Sequence, residues 1–123
     1  VKEVIAIIRP KKVAATKEAL ASLGFPGITV TPVLGRGKQR GIVGEISYPI
    51  EAAQLPGEQS GVMPYIPKRF VSIVIEDDMV DAVIKAIVRV NQTGQAGDGK
   101  IFVCPIDEAE RLRTGETGNP ALH

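Results

Sequence analysis

Short apolar blocks separated by glycine and proline occupy the first third of the chain and return, in related order, in the last third. Val4 to Ile8 are a β-branched run with the composition of a buried strand, and Pro10 stops it. Over Lys11 to Leu23, Val13, Thr16, Leu20 and Leu23 recur at helical spacing, and Gly24 ends the predicted helix. Ile28 to Thr31 alternate apolar with polar as a half-buried strand does, continue through Val33 and Leu34, and break at Gly35-Arg36-Gly37. Phe70 to Ile75 predict another strand, followed by Asp77 and Asp78 as capping acids and by Val80, Val83, Ile84, Ile87 and Val88 on one helical face. Gly94 to Gly99 then turn the chain into a last apolar strand, Lys100 to Cys104, which Pro105 closes.

The order βαββαβ predicts an α+β, ferredoxin-like sandwich, with both helices on one face of an antiparallel sheet and the other face bare. Apolar residues stand at both odd and even strand positions, so the bare face is expected to be apolar and to be covered in a homo-oligomer. Between the halves, residues 36–67 are rich in Gly, Pro, Gln and Ser; structureless connections longer than about 12–15 residues are usually functional or mobile, so this is expected to be an effector loop. One domain over residues 1–123 is therefore expected, carrying this long loop and a C-terminal arm at about 106–123.

Composition narrows the classes. Hydrophobic residues at 44% and charged residues at 24% suit an ordinary soluble domain, no stretch approaches the roughly 18 apolar residues of a membrane span, and the start reads as a strand and not as a signal peptide. A single cysteine, Cys104, excludes an internal disulfide and a cysteine-rich metal site, and points to a cytoplasmic home. A net charge of +1 argues against coating nucleic acid, and aromatics at 4% argue against an RNA-stacking sheet face, so any positive site is local. With His123 at the terminus and Cys104 inside an apolar strand, no nucleophile or base suggests an enzyme.

The candidate chemistry lies in glycine-cation clusters. Gly94 to Lys100 match the G-x-x-x-x-G-K part of a P-loop, but Ile101 replaces the magnesium-binding Ser or Thr and the segment runs from helix to strand, the reverse of a P-loop. The chemistry survives without the motif: glycines let backbone amides approach an anion, and Lys100 adds a point charge. Gly35 to Gly41 are a second such cluster at the end of another strand, and Arg111-Leu112-Arg113 set two guanidinium groups on one side of a segment read as extended. Each alone could be a solvated surface; together they suggest a nucleotide site.

Over nearly its whole length the sequence resembles the PII nitrogen-regulatory family, most specifically at Gly35 to Gly41, Gln92-Thr93-Gly94, Gly97-Asp98-Gly99-Lys100-Ile101-Phe102-Val103 and Arg111 to Glu116. The resemblance implies a trimer that senses ATP or ADP in clefts between subunits. Thr29, Gly35, Gly37, Lys38, Gly97, Asp98, Gly99 and Lys100 would line one side and Arg111 and Arg113 would come from the neighbour. It also implies that Gln39 holds Mg²⁺ together with the phosphates and 2-oxoglutarate, and that Lys68 pairs with the far carboxylate of 2-oxoglutarate. Arg36 departs from the family, whose members mostly have an aromatic or apolar residue there, and Gly61 stands where others carry a uridylylated tyrosine, with Tyr48 and Tyr65 poor substitutes. The long loop, Leu34 to Ile42 and Tyr65 to Arg69 look like the subgroup that regulates nitrogen fixation. Members of that subgroup work in pairs of related PII-like chains and bind and inhibit the dinitrogenase component of nitrogenase, which implies for this chain a homotrimer or a hetero-oligomer with a second PII-like chain; the alternative target is an ammonium transporter, an enzyme or a transcription factor.

Overall fold

The computed structural model describes residues 1–36 and 65–123. Within them the elements follow the expected order: β1 (Lys2–Ile8), α1 (Val13–Ser22), β2 (Thr29–Gly35), β3 (Ile66–Ile75), α2 (Val80–Asn91) and β4 (Lys100–Pro105). The four strands form one antiparallel sheet in the order β2-β3-β1-β4, with Val4 facing both Ile73 and Val103 and with Val30 facing Val71. This is the α+β, ferredoxin-like arrangement that the alternation predicts.

Alternate side chains of a strand point to opposite faces, and the burial follows that rule. Val4, Ala6 and Ile8 of β1, with Val71, Ile73 and Ile75 of β3, form the buried layer against Leu20 of α1 and Val83 and Ile87 of α2. The helices are joined by one polar contact in this apolar layer: Asn91 Nδ2 donates to Thr16 Oγ1 at 3.0 Å, and that hydroxyl donates to the Lys12 carbonyl at 2.8 Å. On the other face stand Ile5, Ile7, Phe70 and Phe102, and Phe102 is 52% exposed, so the apolar bare face expected from the sequence is present.

Local chemistry sets the boundaries. Helix α1 ends in a Schellman motif: Gly24, at φ +96°, donates to the Ala21 carbonyl at 2.9 Å, and Phe25 donates to the Leu20 carbonyl at 3.0 Å. Its start is later than the periodicity suggests, because Pro10–Lys12 form a 3₁₀ turn on the way in. Asp77 and Asp78 make no side-chain cap to α2; they occupy a 3₁₀ turn whose following N-cap residue is Met79. Val88 lies at the rim of the expected apolar helix face, 38% exposed.

Strand β3 starts at Ile66, earlier than its apolar run at Phe70, and so takes in Pro67 and Lys68. The pairing explains how a proline is tolerated in this strand. β1 reaches only as far as Ile8 opposite Arg69, so Pro67 pairs with Leu34 of β2 alone and its missing N–H disrupts no ladder on the other side. Pro32 is tolerated in β2 for the same reason, since β2 is an edge strand. No helix among the described residues is long and apolar enough to cross a membrane.

Candidate functional site

In this topology the end of β2, the start of β3, the end of β1 and the start of β4 fall at one end of the sheet. The sequence places its glycines and cations at those four points. The result is a cleft of about 390 Å³ whose lining includes Gly35, Arg36, Lys68, Gly97, Gly99 and Lys100. Lys68 crosses it: its Nζ donates to the Gly97 carbonyl at 2.7 Å, so β3 is tied to the glycine loop that leads into β4.

The loop has the backbone of an anion receptor. Gly97 and Gly99 take φ +98° and +112°, a region that side chains rarely tolerate. Gly99 is further confined by the sheet, for a Cβ there would stand 1.8 Å from the Ile7 carbonyl oxygen. Among the described residues no hydrogen-bond acceptor is found for the amides of Gly97 or Gly99, whereas the Asp98 amide closes a turn over Ala96 and Gly97. Open amides of this kind suit phosphate or carboxylate oxygens, and Lys100 stands beside them.

Asp98, one of the expected ligand residues, is turned to a different task. Its Oδ2 accepts from the Thr93 amide at 2.7 Å and the Gly94 amide at 2.9 Å. Its Oδ1 accepts from Arg9 Nη1 at 2.7 Å and from the Thr93 hydroxyl. These bonds, led by the Thr93 hydroxyl and amide, hold the carboxyl well below the usual carboxylate range; burial opposes them by more than Arg9 or Gly94 alone contributes. Arg9 itself is 4% exposed and also donates to the Ala96 carbonyl at 3.1 Å. No motif in the sequence singles out Arg9; the available signal was an arginine closing an apolar run, since a buried guanidinium requires partners.

Other expected residues lie elsewhere. Thr29 opens β2 opposite Ser72, six residues from Gly35 and thus roughly 20 Å along the strand, outside the cleft of its own chain. Arg111 and Arg113 belong to the C-terminal arm, which is a tight turn and not an extended segment: the Gly115 amide donates to the Arg111 carbonyl at 2.7 Å and the Arg111 amide to the Glu116 carbonyl at 2.9 Å. Arg111 then bonds Glu116 Oε1 at 2.7 Å and the Pro120 carbonyl at 2.8 Å, while Arg113 is exposed and Leu112 is 99% exposed. Gly37, Lys38 and Gln39, with most of the long loop including Tyr48, lie outside the described residues. Arg36 and Tyr65 do not: they succeed the Gly35–Ile66 pair, and the Arg36 guanidinium lies 5.7 Å from the centre of the Tyr65 ring, a cation-π contact at the root of the loop.

Comparison with known proteins agrees with this geometry. The model of the family described as "Nitrogen regulatory protein P-II" matches residues 1–116. A "Nitrogen fixation nifHD region GlnB-like protein 2" from Methanothermobacter marburgensis is 54% identical over 121 residues, covering 98% of this chain and 99% of its own. A "Nitrogen fixation nifHD1 region GlnB-like protein 2" from Methanosarcina barkeri is 55% identical, with 98% of each chain covered. Among solved structures, Arabidopsis thaliana PII bound to citrate superposes with a TM-score of 0.73 at 31% identity, over 98% of this chain and 88% of that one.

Proposed function

Because the chain belongs to the nitrogen regulatory protein P-II family, we propose that it is a sensor of ATP or ADP and of 2-oxoglutarate that regulates nitrogen fixation by binding nitrogenase through its long loop. The observation that carries the ligand part is the convergence of Lys68, Lys100, Gly97 and Gly99 on one cleft, with the amides of the two glycines open. Amides and ammonium groups together favour an oxygen-rich anion such as a phosphate chain. The target is supported by the higher identity to nifHD-region proteins, 54% and 55%, than to the "Nitrogen regulatory protein P-II" of Cereibacter sphaeroides, 40%.

Mg²⁺ fits this cleft as an ion borne by its ligand. Among the described residues no cluster of three or more His, Cys, Asp or Glu could hold a metal, whereas phosphate and carboxylate oxygens suit the octahedral preference of Mg²⁺. Gln39 would add a protein oxygen, and Lys68 would pair with the far carboxylate of 2-oxoglutarate. The distance of Thr29 from Gly35 and the outward position of Arg113 mean that all three, Thr29, Arg111 and Arg113, would reach a ligand only from a neighbouring subunit. The bare apolar face around Ile5, Ile7, Phe70 and Phe102 supports such an assembly, a homotrimer or a mixed oligomer with a second chain of the family. No catalytic role is assigned to any residue.

Titration calorimetry of Mg²⁺-ATP with and without 2-oxoglutarate tests the sensor. Linkage requires each ligand to tighten the other if they share one cleft, and ATP binding indifferent to 2-oxoglutarate would sink the reading. Lys68→Ala should weaken 2-oxoglutarate more than ATP. Removal of residues 42–62 should abolish nitrogenase binding and spare ATP.

A further inference from the structure

The glycine loop would be floppy if glycine were all it had, and a floppy receptor loses affinity in ordering itself on the ligand. Its fixed points come from outside the loop. Arg9, at the end of β1, donates through Nη1 to Asp98 at 2.7 Å and through Nη2 to the Ala96 carbonyl at 3.1 Å. Asp98 passes the hold backwards to the amides of Thr93 at 2.7 Å and Gly94 at 2.9 Å.

Two consequences follow from elementary geometry. First, a planar trans peptide points its C=O and N–H in opposite directions. Drawing the Ala96 carbonyl onto buried Arg9 therefore turns the Gly97 amide away from Arg9, on the side where Ala96 and Gly97 line the cleft. By the same rule the Gly97 carbonyl, drawn onto Lys68 in the cleft, turns the Asp98 amide away from it. Second, an ionised carboxylate offers about four acceptor positions, and Asp98 fills them with Arg9, the Thr93 hydroxyl and the amides of Thr93 and Gly94. Nothing remains with which to ligate a metal ion or a ligand hydroxyl. Its negative charge behind a receptor for anions would also be repulsive without Arg9 beside it.

We propose that Arg9 and Asp98 are positioning residues of the cleft: they do not touch the bound anion, and they hold the Gly97 amide facing it. This rests on the reading of the cleft as a polyphosphate site. It reassigns Asp98 from ligand contact to scaffold and gives Arg9 a role in recognition.

The test uses the full chain, with ATP and inorganic tripolyphosphate as probes, and hydrogen exchange at individual amides. In Arg9→Gln, affinity for ATP and for tripolyphosphate should fall by the same factor, about tenfold or more, because the loss concerns the phosphate-facing amide alone. Exchange at the Thr93 and Gly94 amides should quicken in the free protein. Arg9→Lys, which keeps the charge and loses the forked geometry, should recover part of both effects and carries the same measurements if Arg9→Gln does not fold. A variant with a lowered melting temperature and unchanged affinity for both probes would overturn the positioning role and leave Arg9 as structural only. Unchanged exchange at Thr93 and Gly94 would overturn the relay through Asp98. A wild-type chain that ignores tripolyphosphate and ATP alike would instead overturn the cleft reading, whatever the exchange data show.

Discussion

The glycine loop and the C-terminal arm are built from the same materials, a turn with glycines at positive φ and an arginine-carboxylate pair at 2.7 Å, and they behave as opposites. In the loop the pair is enclosed, with side chains 4% and 23% exposed, and its bonds are spent on the backbone of the loop. In the arm the pair lies at the surface, 22% and 46% exposed, and holds only the turn that contains it. Equal distances therefore carry unequal weight, because water and salt screen the second pair far more than the first. The loop is held by contacts to the rest of the sheet, whereas the arm presents Leu112 and Arg113 outward.

Substitutions can break this contrast. Gly99→Ala should have the largest effect: the added methyl would meet the Ile7 carbonyl and the backbone stands at φ +112°, so a loss of about 3 kcal/mol is expected in urea unfolding. Acid should act next, through Asp98. Its folded pKa is depressed, so its contribution is present above the unfolded value of about 3.9 and disappears as pH falls through the folded one. The difference in urea midpoint between wild type and Asp98→Asn should accordingly be steady from pH 7 to about 5 and shrink below about 4. A difference that instead grew on acidification would show that the bonds to Thr93 and Arg9 favour the protonated acid.

In the arm the same kinds of change should be mild. Gly115→Ala has φ +74° but no atom within 4 Å of the new methyl, so about 1 kcal/mol of backbone strain is expected by urea unfolding. Glu116→Gln should cost less than about 0.5 kcal/mol by the same measurement, the ordinary value of an exposed pair. If either arm variant equalled Gly99→Ala, the arm would be as integral to the subunit as the loop.

Much of this molecule was legible in its sequence. The β-branched runs, the helical spacing of Val13, Thr16 and Leu20, Gly24 as a helix stop and the glycines at 94–99 act locally, through backbone sterics and periodicity, and each of these signals has its element in the fold. The same local signals placed Gly35, Gly97, Gly99 and Lys100 at strand ends, where an antiparallel sheet must bring them together. What the tertiary structure alone decided was direction. Pro67 and Lys68 joined β3 because β1 ends too early to need the missing amide; Asp98 faced Arg9, distant in sequence, and not the cleft; and Thr29 was carried a strand's length from the residues grouped with it. Pairing register and burial fix where a side chain points, and these depend on contacts between segments far apart in the chain, which no local pattern encodes.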